Sequence, residues 1–161
     1  MKFSRLAICV LVGAVAAIAR AQAPTVEQGT LDDLKDVKTV FVDAGSDLEA
    51  RDEIGGEIKN KLPGVKILLD AKGAEVMLRY KVEVETGHGG ANPRSVIRKV
   101  AVGEVVKPLE RNRERLLMGF RKSLSSSSVF SGPRIGWGKK HPGRDFAREF
   151  IKAWQKANPT K

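Results

Sequence analysis

Ala74 to Glu85, AEVMLRYKVEVE, is the segment that leaves this chain the least choice of fold. Val76, Leu78, Tyr80, Val82 and Val84 alternate with Met77, Arg79, Lys81, Glu83 and Glu85. A period of two suits a β-strand with one apolar and one wet face, and no helix can use it. Such a strand needs sheet neighbours, and the flanking sequence offers several.

Residues 37–43, VKTVFVD, are rich in β-formers with apolar residues on both faces, as expected of an interior strand. Ser46 with Glu49 then reads as a capping box, opening a helix whose Ala50, Ile54, Ile58 and Leu62 recur on one face until Pro63-Gly64 stops it. Gly55-Gly56 inside that helix predicts a close approach to the sheet or a kink. VKILLD, 65–70, gives a second strand, and strand-helix-strand over this length implies a right-handed crossover between parallel strands. The alternating strand should then run antiparallel to the second. A loop over 87–95 leads to a strand at 96–106. A fifth strand is expected from Arg113 to Lys122, with a short helix from Leu109 as its alternative. Residues 123–143 hold serine, glycine and proline and predict a long basic loop. A closing helix after Gly143 places Phe146, Phe150, Ala153, Trp154 and Ala157 on one face and stops at Asn158-Pro159. The expected fold is α/β (α+β): a mixed four- to five-stranded sheet in the order β-α-β-β-β-β-α, with two helices packed on one face. Residues 36–158 form a single domain, and 22–35 a polar lead-in.

The first 23 residues read as an export signal: Lys2 and Arg5, an apolar run from Leu6 to Ala19, then two small-x-small exits. Cleavage after Ala21, giving a signal of 1–21, is favoured over cleavage after Ala23, because the latter puts Pro24 directly beyond the scissile bond. The apolar run is shorter than the roughly 20 residues of a spanning helix. The expected protein is therefore exported, periplasmic or secreted, with no transmembrane segment after signal removal. Cys9 is the only cysteine and lies within the signal, so disulfides and thiolate metal sites are excluded from the rest.

The chain from Gln22 carries 26 basic and 19 acidic residues, unevenly placed. Residues 22–106 have a net charge of −3 and residues 107–161 one of +10. That asymmetry points to an anionic partner, an envelope component or an acidic protein, without specific nucleic-acid recognition.

Three segments carry a resemblance: VKTVFVD before its helix, GAEVMLRYKVEV, and the closing DFAREFIKAWQKAN. Over residues 37–158 their layout resembles small exported envelope domains of the TolB N-terminal, CsgG and lipopolysaccharide-assembly lipoprotein type. The resemblance implies a binding or assembly role rather than catalysis. It carries over no functional residue, and this chain lacks the lipid-acceptor cysteine found at the cleavage site of several such proteins.

The favoured contact surface is Trp137 with Lys139, Lys140 and His141, followed by Arg144 and Arg148 one helical turn apart. An indole beside cations offers stacking area together with charge for phosphate or carboxylate. The competing reading is a hydrolase or metal-dependent enzyme using Asp43 and Asp70, which end two parallel strands where α/β sheets place ligands. Each could equally cap its own turn. Two histidines, His88 and His141, without an obvious third ligand make a poor zinc motif, so no metal or cofactor is expected. Ser125 to Ser128, His141 and Asp145 could be arranged as a triad but lack a nucleophile elbow. Gly87-His88-Gly89-Gly90 lacks the lysine of a phosphate loop and reads as a hairpin tip.

Overall fold

A computed structural model describes residues 23–88, 95–110, 112–126 and 141–159. The signal segment, residues 89–94 of the hairpin tip, and residues 127–140 of the basic loop lie outside the described residues.

The first of the expected strands is β2, Thr39–Asp43, which buries Val40 and Val42 under the helices. It leads through α1, Leu48–Lys61, to β3, Lys66–Leu68, which lies parallel beside it. That is the expected crossover. The cap of α1 differs: Asp47 rather than Ser46 ends the loop, its Oδ1 accepting from the Ala50 N–H at 3.0 Å. Ala50, Ile54, Ile58 and Leu62 are buried as their spacing required. Gly55 and Gly56 are not required by the packing: a Cβ on Gly55 would meet only the Ile67 methyl at 3.6 Å, and one on Gly56 would meet nothing within 4 Å.

The alternating segment is β4, Val76–His88. It pairs with β2, not β3, and is parallel rather than antiparallel to both. Glu75 Oε2 accepts from the backbone N–H groups of Lys38 at 2.6 Å and Thr39 at 2.7 Å and from the Thr39 hydroxyl at 3.0 Å. This carboxylate ties the start of β4 to the start of β2, and the chain leaving β3 returns along the other side of β2. Strands β5, Ser95–Leu109, and β6, Arg113–Ser126, follow as antiparallel neighbours. Pro108 and Leu109 belong to β5, and Asn112 turns the chain with a φ of 57°, so no helix forms there. β6 runs through Ser126, past the expected loop start at 123.

Residues 22–35 are more than a lead-in. Thr25–Gln28 forms β1, a parallel edge strand on β6, and Leu31–Leu34 forms a 3-10 helix that buries Leu34. Four residues with weak periodicity gave no sign of this. Backbone pairing with Arg113 to Leu116 holds the strand, aided by Glu27 facing Arg113 and Arg115. The result is one six-stranded mixed sheet in the order β1-β6-β5-β4-β2-β3, so the strand count exceeds the expected four to five while the fold class holds.

Helix α2, Pro142–Ala157, lies with α1 on one face, where Phe146, Ala147, Phe150, Ile151 and Ala153 complete the core. Phe146 sits on Gly103 of β5, where a Cβ would come within 2.6 Å of its ring. Trp154 anchors the far end by donating from Nε1 to the Val37 carbonyl at 3.1 Å. The opposite face carries charge, including the bidentate pair between Arg79 and the buried Glu114. Beyond Arg79 and Leu116, β4 and β6 outrun β2 and β1, leaving a three-stranded ribbon on which Val82 is 41% and Val84 60% exposed.

Candidate functional site

Glu49, Glu53 and Glu57 recur every fourth residue on α1 and so share a side of that helix. α2 answers this ladder with His141, Arg144 and Arg148. His141 Nδ1 contacts Glu53 Oε1, while Arg144 and Arg148 both reach Glu57 Oε1 at 3.5 Å. Gly143 makes the approach possible: buried, it packs so closely on Ala50 and Glu53 that a Cβ would stand 3.2 Å from the Ala50 carbonyl and from Glu53 Oε2.

Half of the sequence-derived contact surface is thus in view. His141, Arg144 and Arg148 lie together at the start of α2, each with an acidic partner on α1. Trp137, Lys139 and Lys140 lie outside the described residues. Nearby, Lys122 of β6 reaches Asp145 at 2.6 Å, and Arg148 stands 4.0 Å from the same residue. Three cations, Lys122, Arg144 and Arg148, therefore share two carboxylates, Glu57 and Asp145. The Arg144 and Arg148 side chains remain 43% and 56% exposed.

The wider charge asymmetry of the sequence is likewise folded inward. Arg113 and Arg115 meet Glu27, Arg115 and Lys107 meet Asp33, and Arg121 meets Glu85. Part of the basic C-terminal third thus pairs with acids of the remainder. Arg98 and Lys99, exposed near the end of β6, make no ion pair among the described residues.

Asp43 and Asp70 each hold a turn of their own. Asp43 Oδ1 accepts from the Gly45 N–H at 3.2 Å, and Asp70 Oδ1 from the Lys72 N–H at 2.8 Å. Asp43 lines a cavity of about 410 Å³ with Arg79, Lys81 and Glu104, on the face away from the helices, and Asp70 is not part of it. The paper triad does not assemble among the described residues, since His141 turns to Glu53 while Asp145 takes Lys122.

Sequence reasoning missed one constellation. Glu49, Glu53 and His141 bring a ligand atom each within 4.8 Å of the others. The four-residue spacing of the glutamates was visible, but nothing in the sequence showed that the closing helix would deliver a histidine to them. Tyr80, only 4% exposed and stacked on Phe146, has no hydrogen-bond partner for its hydroxyl among the described residues. Burial, with the negative charges of Asp47, Glu53 and Asp145, pushes its pKa up to about 12.

Among the described residues no helix is long and apolar enough to cross a membrane. No protein-family model matches the chain, and no curated protein matches it. Among solved structures it is similar to a minor lipoprotein from Acinetobacter baumannii at 12% identity, over 76% of this chain and 92% of that one, with a TM-score of 0.39. At that level of similarity neither fold nor function transfers from one to the other.

Proposed function

We propose that this chain is an exported, non-catalytic binding or accessory protein of the bacterial cell envelope. It meets an anionic envelope component through the basic segment containing Trp137, Lys139 and Lys140 and the adjoining start of α2. The observation that carries the reading is that Arg144 and Arg148 share a single carboxylate, Glu57, and keep side chains 43% and 56% exposed. Guanidinium N–H groups left outside an internal pair are suited to phosphate or carboxylate oxygens. The two lysines preceding His141 add charge of the same sign. Export rests on the signal-like N-terminal segment. The enzyme alternative on Asp43 and Asp70 draws no support from two carboxylates that each serve a separate turn.

The test is co-sedimentation of the chain from Gln22 onward with vesicles containing phosphatidylglycerol and, in parallel, with neutral vesicles. Binding to the anionic vesicles alone, weakened by moderate salt, is expected. A Trp137→Ala, Lys139→Glu, Lys140→Glu variant should lose it. Equal binding by that variant, or binding indifferent to salt and lipid charge, would overturn the assignment.

A further inference from the structure

We propose that Glu49, Glu53 and His141 form a binding site for a divalent transition-metal ion of the zinc class, at the junction of α1 with the start of α2. This inference is independent of the anionic-partner reading. Two observations carry it.

The first is placement. Glu49 and Glu53 are one helical turn apart, and buried Gly143 lets the start of α2 press against Ala50 and Glu53, bringing the His141 imidazole to the carboxylates. Ligand atoms around a tetrahedral zinc ion stand about 3.3 Å apart. One ligand atom from each of the three side chains already lies within 4.8 Å of the others.

The second is donor chemistry. One imidazole nitrogen with two carboxylates suits zinc and its first-row neighbours. An all-oxygen set would favour magnesium or calcium, and thiolates would favour copper(I). Three protein ligands on a half-open surface leave a coordination position for water or a small anion.

The experiment is calorimetric titration of the chelator-stripped chain from Gln22 with zinc chloride, beside magnesium and calcium chloride. One equivalent of zinc should bind with micromolar affinity or tighter, and neither alkaline-earth ion should match it. His141→Asn and Glu49→Gln should each weaken zinc binding at least about tenfold, while His88→Asn leaves it unchanged. Glu49→Gln removes an exposed carboxylate and leaves the His141–Glu53 contact in place, so it separates ligation from folding, and far-UV circular dichroism checks every variant. Absence of saturable zinc binding, binding unaffected by Glu49→Gln and His141→Asn, or binding lost with His88→Asn would overturn the site.

Discussion

Glu75 does the work of a whole turn with one carboxylate. The N–H groups of Lys38 and Thr39 and the Thr39 hydroxyl hold its pKa below the usual carboxylate range, the Lys38 N–H most of all. Asp33 is lowered in the same way by the Thr30 N–H and by Arg115. For both groups the folded-state value lies below the unfolded one. Their stabilisation is therefore complete above about pH 4.5 and is lost as pH falls through the folded-state values. Glu75→Gln should cost about 1 kcal/mol at pH 7, since the pairing is solvent-exposed, and should flatten the acid limb of a stability-pH profile. Urea midpoints collected from pH 7 to pH 3 check both. A profile of unchanged shape would show that other carboxylates govern acid unfolding.

At the scale of elements, the two helices contrast in how well they suit the sheet. α2 fits Phe146 against Gly103, and Gly103→Ala would drive a methyl into a fully buried ring. A loss of about 1–3 kcal/mol is expected in chemical denaturation. α1 carries Gly56 at an interior helical position with open space around it. There Gly56→Ala should gain about 0.5–1 kcal/mol, visible as a raised melting temperature. The alternating strand, the crossover and the amphipathic closing helix were legible because each repeats a period over many residues. β1 was not, since four residues hold no period and its place depends on a partner strand about ninety residues away. The partner of β4 was not either, because strand periodicity does not say on which side of β2 the chain returns.

Over the whole molecule, the sequence revealed how much charge there is but not where it faces. A C-terminal third at +10 beside a remainder at −3 read as a surface for others, whereas folding joins much of it internally through Glu27, Asp33, Glu57 and Glu85. The candidate site was legible in the same measure. Spacing placed Arg144 and Arg148 on one side of a helix, but only the packing of α2 on α1 showed that a single glutamate serves both. His141 joined Glu49 and Glu53 for the same reason: ligands from two helices meet in space with no signature in sequence.

The ribbon beyond Arg79 and Leu116 has its own consequence. Along those lengths of β4 and β6 no strand lies alongside among the described residues, so two rows of peptide groups face outward. Such a border is a template on which any extended backbone can continue the ladder, another copy of this one included. Arg121 and Lys122 place charge on that length of β6, whose register against β5 shifts between Ser123 and Ser125. Any such growth would start at the ribbon's open borders, away from the core that sets thermodynamic stability.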